Sequence, residues 1–310
     1  MRALVTGGCG FLGGNLIQAL LPAGVAVRCL DVQTAPPIAL ATRGDCEFVC
    51  GDLGDAAVAA QALIGIDTVF HLAAPFWIAG GQQSPAQDVE LNLLRGVRFL
   101  EQCVAAGVRR VIFPSSGGAV YGLSGGQALA ETDLPQPVVS YGIVKLALER
   151  YLAMFHRTHG LEYAALRVSN PYGPGQRPHR GQGVVATLLE CARTGAPFTL
   201  FAPRTTVRDY LYVADVAAAF VAAAQAPGPL AAVLNVGSGR GVRLDEMIAA
   251  VERVSGRAVQ VEERAPRGFD VPANVLDCRL ALEKLGWQAT TDLATGLQKT
   301  WEWIAARPQA

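Results

Sequence analysis

The sequence predicts an α/β fold built on a doubly wound parallel sheet. Three observations predict it. A strand, a glycine-rich turn and a helix open the chain, and short apolar segments then alternate with amphipathic ones through the first half. The chain is also long enough, at 310 residues of which 51% are hydrophobic, to bury a large core. Right-handed crossovers between parallel strands place helices on both faces of such a sheet, and ligands bind at the carboxyl ends of its strands.

The opening unit carries the first motif. Residues 1–6 (MRALVT) form an apolar strand, and Gly7, Gly10 and Gly13 follow with the spacing G-x-x-G-x-x-G at the start of a helix. Such glycines allow a tight turn, close approach of the backbone to a pyrophosphate and close packing of helix on strand. A second strand, residues 25–30, ends at Asp31, where a carboxylate can bind the adenosine ribose hydroxyls and would repel a 2′-phosphate. The unit therefore predicts NAD binding, with a glycine-rich loop that binds no ligand as the alternative.

Alternating segments continue this pattern to residue 114. We expect strands over residues 46–50, 67–72 and 110–114, and helices over residues 55–64 and 88–106. Because the strands are parallel, the residues that follow them meet at one edge of the sheet.

Two of these strand ends carry residues suited to a cofactor. Asp52 and Leu53 place a carboxylate and an apolar side chain where they can contact an adenine ring. Leu72, Ala73 and Ala74 are small or apolar residues at a position where the backbone can approach the cofactor. Taken alone, Asp52 fits a loop or helix-capping carboxylate better than a cofactor ligand.

A tyrosine and a lysine four residues apart form the candidate catalytic pair. Tyr141 and Lys145 open a predicted helix that continues to His159, and their spacing puts them on one face. A phenol ionises near pH 10 unaided, and a nearby ammonium favours the phenolate, so the pair predicts a general base usable near neutral pH. The alternative is an ordinary surface pair. Catalysis is favoured because the helix follows a strand that ends in Ser115 and Ser116.

The second half predicts a smaller lobe woven into the first. We expect strands over residues 161–168, 198–201, 207–213 and 233–237, a loop over 169–183, and helices over 184–194, 214–226, 243–255, 279–285 and 293–306. No repeat, low-complexity tract or hinge-like linker separates the two halves. We therefore assign residues 1–168, with about 207–237, to an NAD-binding domain, and residues 169–206 and 238–310 to a substrate-binding lobe.

Composition excludes several classes of function. The formal net charge is zero, 17% of residues are charged and no basic run occurs, so we expect neither a nucleic-acid nor a membrane-surface partner. The longest apolar stretch, residues 216–224, is too short to span a bilayer, and the strand at residue 1 argues against a signal peptide. The seven cysteines are scattered and odd in number, which predicts reduced thiols in a cytoplasmic protein and no metal site.

The motifs together resemble those of a known family. TGGCGFLG, GDL, HLAA, SSGGAVYG, YGIVK, RVSNPYGPGQ, RDYLYVADV, NVGSG and DVPANVLD occur in the family's order, and the likeness extends from Met1 to about Trp303. The chain resembles the extended short-chain dehydrogenase/reductase family of NAD-dependent epimerases and dehydratases, and most of all its nucleotide-sugar 4-epimerases of the UDP-glucose/UDP-galactose type. The resemblance implies a Rossmann fold, tightly held NAD and a nucleotide-diphosphate sugar, UDP-linked, as substrate. The cofactor residues expected on all these grounds are Gly7, Gly10, Phe11, Leu12, Gly13, Asp31, Asp52, Leu53, Leu72, Ala73, Ala74, Tyr141 and Lys145.

The resemblance also implies the catalytic roles. Tyr141 would take the proton of the sugar C4 hydroxyl as hydride passes to the nicotinamide, Lys145 would bridge the nicotinamide ribose hydroxyls, and Ser116 would hydrogen-bond the C4 oxygen. In many relatives the hydroxyl residue lies four positions before the tyrosine of VYG, which is Gly117 here. A glycine turn one residue longer makes Ser116 its counterpart, with Ser115 as the alternative.

Four residues are expected at the substrate. The resemblance places Asn170, Arg208 and Arg267 at the diphosphate, where guanidinium groups suit phosphate oxygens. The alternatives are surface salt bridges for the arginines and a turn cap for Asn170. Asn274 matches the family position beside the sugar C2 substituent, and its small size predicts tolerance of N-acetylated sugars.

The glycines after Ser116 discriminate among reactions. Related dehydratases and decarboxylases place an acidic residue there, whereas this chain has Gly117 and Gly118. C4 epimerisation of UDP-glucose, UDP-GlcNAc or UDP-glucuronate is therefore the first expectation, and 4-keto reduction or UDP-glucuronate decarboxylation is the alternative. A non-enzymatic NAD sensor is disfavoured because Tyr141 and Lys145 are both present. The helices over residues 88–106 and 141–159 match those that the family packs across a dimer axis, so we expect a homodimer.

Overall fold

The computed structural model describes residues 1–34, 46–74, 84–122, 128–178, 183–265 and 271–307. In this part of the chain the strands are β1 (Arg2–Thr6), β2 (Ala26–Asp31), β3 (Cys46–Cys50), β4 (Thr68–His71), β5 (Arg110–Ser116), β6 (Glu162–Val168), β7 (Asn170–Tyr172), β8 (Phe198–Leu200), β9 (Val207–Tyr212), β10 (Ala231–Val236), β11 (Gly241–Arg243), β12 (Val261–Glu263) and β13 (Ala273–Asn274). The helices are α1 (Phe11–Leu20), α2 (Ala56–Leu63), α3 (Pro85–Asp88, a π-helical stretch Val89–Leu94, then Arg95–Ala105), α4 (Gly117–Val120), α5 (Ser140–His159), α6 (Val184–Thr194), α7 (Val213–Gln225), α8 (Leu244–Ser255), α9 (Arg279–Leu285) and α10 (Leu293–Ala305).

The predicted doubly wound parallel sheet is confirmed. Within the described residues, seven strands form it in the order β10-β6-β5-β4-β1-β2-β3, and each neighbouring pair is parallel. The strand order reverses at β1, which pairs with β2 on one side and β4 on the other. The loops after β1 and β4 therefore run to opposite faces of the sheet and leave a crevice between them. Thr6 and His71, which end these two strands in register, lie at this crevice.

Apolar side chains cover the large sheet on both faces. On one face, α1 and α7 contribute Leu16 and Phe220 to a core with the inward residues of the central strands. On the other face, α2, α3 and α5 contribute Leu63, Phe99 and Leu148. All five of these side chains are at most 4% exposed, so helix burial on both faces fixes the positions of the strand ends.

A smaller lobe adjoins the carboxyl edge of this sheet. Its central strand is β9, which pairs antiparallel with β11 and parallel with β7 and β13. A separate core beneath it comes from α6, α8 and α10, with Leu188, Met247 and Leu297 fully buried. Strand β9 leads directly into α7, which packs on the large sheet, so the chain passes back and forth between the two parts. The division at residues 168, 207 and 237 stays a prediction.

Several short elements differ from the sequence expectation. The loop expected over residues 169–183 begins with β7, which pairs with the last half of β9. Strands β11, β12 and β13, each of two or three residues, were not predicted because so short a segment shows no alternation of apolar and polar residues. The helix expected over residues 88–106 begins at Pro85 and contains the π-helical stretch Val89–Leu94.

A buried arginine joins the large sheet to the C-terminal end of α7. Arg110, the first residue of β5, is 0% exposed. It donates hydrogen bonds of 2.7–3.1 Å to the backbone carbonyls of Ala223, Ala224, Ala226 and Gly228, and it forms a salt bridge with Glu162. These carbonyls lie at the helix end, where intrahelical donors are missing and the helix dipole is negative. Arg110 therefore caps α7 from within the core.

Replacing this side chain tests its contribution. Arg110→Met keeps much of the buried volume but leaves Glu162 and the α7 carbonyls without their donor, so we expect the free energy of unfolding in urea to fall by about 3–5 kcal/mol. Arg109→Met is the matched control, because Arg109 bonds the same Glu162 with a side chain that is 49% exposed. Its effect should stay below about 1 kcal/mol. Equal losses for the two variants would contradict the capping role.

Candidate active site

The glycine-rich turn between β1 and α1 lies at the crevice. Gly7 has φ of +70°, and a Cβ there would lie 2.9 Å from the backbone nitrogen of Ala73, so only glycine fits. A Cβ at Gly13 would overlap the carbonyl oxygen of Gly7, and its absence lets α1 pack directly on the turn. Helix α1 begins at Phe11, immediately after Gly10, so its first N–H groups point to this end. The turn has the geometry of an anion-binding site.

Asp31 ends β2 beside this turn. Its Oδ2 accepts a hydrogen bond of 2.9 Å from the backbone N–H of Cys9, and its Oδ1 accepts one of 3.1 Å from that of Gln33. The carboxylate is thus fixed next to the glycine turn. A cavity of about 340 Å³ opens here, and the predicted cofactor residues that line it are Gly7, Gly10, Asp31, Asp52, Leu53, Leu72, Ala73 and Ala74.

A second cavity, of about 510 Å³, continues the first because Leu72 and Ala74 line both. The strand β5, the helix α5 and the smaller lobe supply its other walls. The further sequence-predicted residues that line it are Phe11, Leu12, Ser115, Ser116, Tyr141, Lys145, Asn170 and Arg208. The two cavities form one groove along the carboxyl edge of the sheet, which joins the predicted cofactor residues to predicted catalytic and substrate residues.

The structure brings Ser116, Tyr141 and Lys145 together in the second cavity. Tyr141 and Lys145 lie one turn apart in α5, and the Lys145 Nζ atom is 5.5 Å from the centroid of the Tyr141 ring. The same Nζ donates a hydrogen bond of 2.7 Å to the carbonyl oxygen of Pro114. Ser116 ends β5, and its side chain is hydrogen-bonded to that of Tyr141.

The two candidate serines have different partners. Ser115 and Ser116 are neighbours in β5, so their side chains point in opposite directions. The Ser115 hydroxyl donates to Oε1 of Glu149, whose carboxylate is buried. Only Ser116 of the two is hydrogen-bonded to Tyr141. The geometry therefore favours Ser116 over Ser115 as the hydroxyl of the candidate site.

The electrostatics of the pair differ from the sequence expectation. Burial raises the pKa of Tyr141 to about 12, the Ser116 hydrogen bond opposes this, and the negative charge of Asp88 adds to it. Burial also lowers the pKa of Lys145 to about 8, while Asp88 and Glu149 act in the opposite direction. The expected lowering of the phenol pKa by the ammonium is thus not found, because desolvation of the half-buried Tyr141 side chain outweighs the Ser116 hydrogen bond.

Two of the predicted substrate residues line the second cavity. Asn170 belongs to β7, and its Nδ2 donates a hydrogen bond of 2.9 Å to the carbonyl oxygen of Asp209. Arg208 belongs to β9, and its Nη1 donates one of 2.9 Å to the carbonyl oxygen of Val207. The central strand of the smaller lobe and its neighbour thus carry the predicted diphosphate residues across the groove from Lys145.

The other two are placed differently. Arg267 lies outside the described residues. Asn274 is 1% exposed, is absent from the cavity lining and donates from Nδ2 to the carbonyl oxygen of Gly117 at 2.9 Å. The expectation that Asn274 governs space beside the sugar stays a prediction. Within the described residues, its amide ties β13 to the turn that follows Ser116.

The comparison with known proteins decides the family. Residues 3–237 match the model of the NAD dependent epimerase/dehydratase family. The chain belongs to this family. It is 36% identical over its whole length, and over the whole length of the relative, to a UDP-glucose 4-epimerase of Mycolicibacterium smegmatis. It superposes with a TM-score of 0.91 and 34% identity on the UDP-glucose 4-epimerase of Thermotoga maritima solved with UDP-glucose, covering 98% of each chain. It also superposes on the NAD complex of the Thermus thermophilus UDP-glucose 4-epimerase, with a TM-score of 0.91 and 34% identity, covering 99% of each chain.

The residues of the groove fit the cofactor in the family's name. The Gly7–Ala73 approach leaves no room for a Cβ where a pyrophosphate would meet the backbone, and α1 directs its N–H groups there. The Asp31 carboxylate, fixed by Cys9, is an acceptor for ribose hydroxyls. Lys145 Nζ, with three donors and one of them directed to Pro114, suits hydroxyl acceptors farther along the groove.

Asp88 is a residue of this site that the sequence reasoning missed. It is 1% exposed, and its carboxylate accepts hydrogen bonds of 2.7 Å from Asn92 Nδ2 and from Ser140 Oγ. It thereby links α3 to the first turn of α5, next to Tyr141. The i, i+4 spacing of Asp88 and Asn92 is visible in the sequence, but the hydrogen bond from Ser140, 52 residues away, is not.

A buried ion pair behind β5 was missed as well. Glu149 binds Arg167 with two hydrogen bonds, of 3.0 and 2.8 Å, and both side chains are at most 4% exposed. The guanidinium also lies 4.8 Å from the centroid of the Tyr121 ring. Glu149 follows Lys145 by one helical turn, so its position on the catalytic face of α5 could have been found from spacing alone. The pair fixes α5 to β6 next to the catalytic residues.

The described residues contain neither a metal-binding cluster of side chains nor a helix suited to cross a membrane. No group of three or more His, Cys, Asp or Glu side chains there is arranged to hold a metal ion. None of the helices in the described part of the chain combines the length and the apolar character needed to cross a membrane.

The lowered pKa of Lys145 predicts how stability depends on pH. Below about pH 8 the ammonium is charged in both the folded and the unfolded chain, and its burial destabilises the fold. Between pH 8 and the ordinary value of 10.5, only the unfolded chain keeps the proton, so the folded state gains stability as the pH rises. The free energy of unfolding of the wild type relative to Lys145→Met should therefore increase by about 1–3 kcal/mol from pH 7 to pH 10.

The control for this measurement is an exposed lysine. Lys284 is 50% exposed, so the difference between the wild type and Lys284→Met should stay constant over the same pH range. A flat difference for Lys145→Met would contradict the effect of burial on Lys145.

Proposed function

We propose that the protein catalyses NAD-dependent C4 epimerisation of a UDP-sugar of the UDP-glucose/UDP-galactose type. The observation that carries the proposal is that Ser116, Tyr141 and Lys145 line the same cavity, which continues into the cavity of Asp31. A redox cofactor in the Asp31 cavity would extend along this groove to the three catalytic groups. The relatives named UDP-glucose 4-epimerase, which match the whole chain, support the same reaction.

Each catalytic side chain has a role in this proposal. Tyr141 takes the proton of the C4 hydroxyl when the sugar is oxidised and returns it when the ketone is reduced. Ser116, hydrogen-bonded to the phenol, donates to the C4 oxygen and keeps it in line with Tyr141. Lys145 binds the nicotinamide ribose hydroxyls and holds its charge beside the phenol. The residues of the first cavity would hold NAD, which would supply the hydride acceptor and a positive charge that favours the phenolate.

The overall reaction balances without a further reactant. C4 loses a hydride and its hydroxyl loses a proton, which leaves a 4-keto sugar. The ketone then regains hydride on its other face and the proton from Tyr141. The sugar must turn over between the two steps, and the second cavity, of about 510 Å³ and bordered by the small residues Gly118 and Ala119, offers space for this.

The smaller lobe binds the nucleotide diphosphate in this proposal. Asn170 and Arg208 line the groove from β7 and β9, and Arg267 would complete the set. Bidentate guanidinium groups match phosphate oxygens and stay charged at every relevant pH. Residues 1–168, with about 207–237, would then hold NAD, and residues 169–206 and 238–310 would hold the UDP-sugar.

The reaction and its hydroxyl residue are tested together. Purified protein without added NAD should interconvert UDP-glucose and UDP-galactose with no net change in NADH. Tyr141→Phe should abolish turnover, and Ser116→Ala should lower kcat by about 10²–10⁴-fold because a proton-transfer partner is lost. Bound NAD, measured after denaturation, should stay unchanged in the serine variant.

The neighbouring serine is the control. Ser115→Ala should keep most of the activity, since its hydroxyl is bound to Glu149. A loss confined to Ser115→Ala would transfer the role to that residue. Stoichiometric NADH consumption would identify a 4-keto reductase instead, and release of CO₂ from UDP-glucuronate would identify a decarboxylase.

We further propose that the protein is a homodimer. The π-helical stretch of α3 and one stripe of α5 expose large apolar side chains, each 36–55% accessible: Val89, Leu94, Ile143, Tyr151 and Met154. An exposed apolar patch on adjacent helices is typical of a protein interface. The two helices are those that the sequence resemblance assigned to a two-fold axis.

A charge in this patch should separate the subunits. Ile143→Asp buries a carboxylate in the proposed interface, so we expect a monomer in sedimentation velocity where the wild type sediments as a dimer. Leu134→Asp is the control, because Leu134 is 73% exposed and lies outside both helices. A monomeric wild type would refute the dimer.

We also propose that the protein is cytoplasmic. Cysteine usage supports this, because all seven thiols are free and none is paired in a disulfide.

A further inference from the structure

A salt bridge between Arg95 and Asp52 lies on the wall of the first cavity, and the roles assigned above do not include Arg95. Arg95, the first residue after the π-helical stretch of α3, places Nη1 3.0 Å from Oδ1 and 3.1 Å from Oδ2 of Asp52. Both residues line the cavity that contains Asp31. Their side chains are 32% and 54% exposed, and ion pairs as exposed as this contribute little to folding. The pair is therefore better placed to act on a ligand than on stability.

The backbone makes room for the guanidinium. A Cβ at Gly54 would lie 2.8 Å from both Cζ and Nη1 of Arg95, so the group rests against this glycine. The backbone N–H of Gly54 also donates a hydrogen bond of 2.8 Å to Asp52 Oδ1. The Asp52 carboxylate is thus held both by the backbone N–H of Gly54 and by the side chain of Arg95, 43 residues away.

A carboxylate held in this way still has acceptor capacity. Among the described residues Oδ1 accepts from Gly54 and Arg95, and Oδ2 accepts only the longer of the two contacts from Arg95. The two oxygens together offer about four acceptor positions. The Gly54 hydrogen bond and the Arg95 charge hold the pKa of Asp52 below its ordinary value against the effect of burial, so the group is ionised at neutral pH. An N–H donor of a ligand fits the position that remains.

We propose that Arg95 is a positioning residue for cofactor recognition. It fixes the Asp52 carboxylate as the acceptor for the exocyclic amino group of the adenine ring, and so gives the protein its preference for a dinucleotide that carries this amino group. The inference rests on the proposed function, since it takes the first cavity as the adenosine end of the cofactor site. Arg95 acts through Asp52 and needs no contact with the ring.

The test compares two dinucleotides. Isothermal titration calorimetry measures the Kd of the nucleotide-free protein for NAD and for the analogue in which unsubstituted purine replaces adenine. The wild type should bind NAD about tenfold or more tightly, because a hydrogen bond to a charged acceptor is lost in the analogue. Arg95→Ala should weaken NAD binding by about tenfold and leave the affinity for the purine analogue within twofold. A merely structural role would weaken both equally.

Two further variants sharpen the result. Gly54→Ala displaces the guanidinium without removing its charge, and since the displaced atoms end a flexible side chain the fold should be kept. It should reproduce the loss of selectivity. Arg98→Ala removes an exposed arginine of the same helix that does not line the cavity, and it should change neither Kd.

The outcomes separate this inference from the proposed function. If the wild type binds neither dinucleotide, the cofactor assignment fails and the inference fails with it. If the wild type prefers NAD but Arg95→Ala keeps that preference, or loses affinity for both ligands equally, Arg95 is not a positioning residue and the proposed function stands.

Discussion

The burial of the Lys145 ammonium group is the interaction on which the active site depends. A charged group removed from water is tolerated only when its N–H groups are hydrogen-bonded and opposite charges lie close by. Here the carbonyl oxygen of Pro114 accepts a hydrogen bond from Lys145 Nζ, and the centroid of the Phe113 ring lies 4.5 Å from this nitrogen. The carboxylates of Asp88 and Glu149 favour the charged form. These groups belong to β5, α3 and α5. The ammonium can lie beside the catalytic phenol only when all three elements are packed together.

Two buried arginines of the sheet, Arg28 and Arg110, show what distinguishes a structural charge from a functional one. Arg28 donates to the carbonyls of Gln61, Ala62 and Ile64 at the end of α2 and also binds Glu47. Arg110 is engaged in the same way at the end of α7. The donors of each guanidinium group are taken up mainly by backbone carbonyls, so each arginine caps a helix and binds no ligand. Lys145 has a single backbone acceptor in the described part of the chain and faces a cavity, which leaves donors for a bound molecule.

Local patterns predicted the large sheet and most of the groove. The glycine turn, Asp31 at the end of the second strand and the Tyr141–Lys145 spacing are each visible in a short stretch of sequence, so strand and helix periodicity was enough to place them at one edge. Properties that depend on distant segments were not predictable. The hydrogen bond of Asn274 was not foreseen because its amide bonds a carbonyl 157 residues away. The pKa of Tyr141 was misjudged because the desolvation that raises it comes from the folded structure and is invisible in a four-residue motif. Ser115 and Ser116 could be distinguished only once the structure showed on which face of β5 each side chain lies.

The smaller lobe also restricts the chemistry of the site. A Cβ at Gly117 would lie 2.5 Å from Cδ1 of Leu276, and the Gly117 carbonyl is held by the Asn274 amide. Segment 273–276 therefore packs closely on the turn after Ser116, and a side chain at Gly117 would have to displace that of Leu276. Packing thus disfavours an acid at that position, which elimination or decarboxylation would use. With no proton-transfer group at Gly117, the catalytic groups proposed at this edge of the groove are Ser116, Tyr141 and Lys145, and these would act on a single carbon and its hydroxyl. The packing of the C-terminal segment thus favours a reaction that begins and ends at C4.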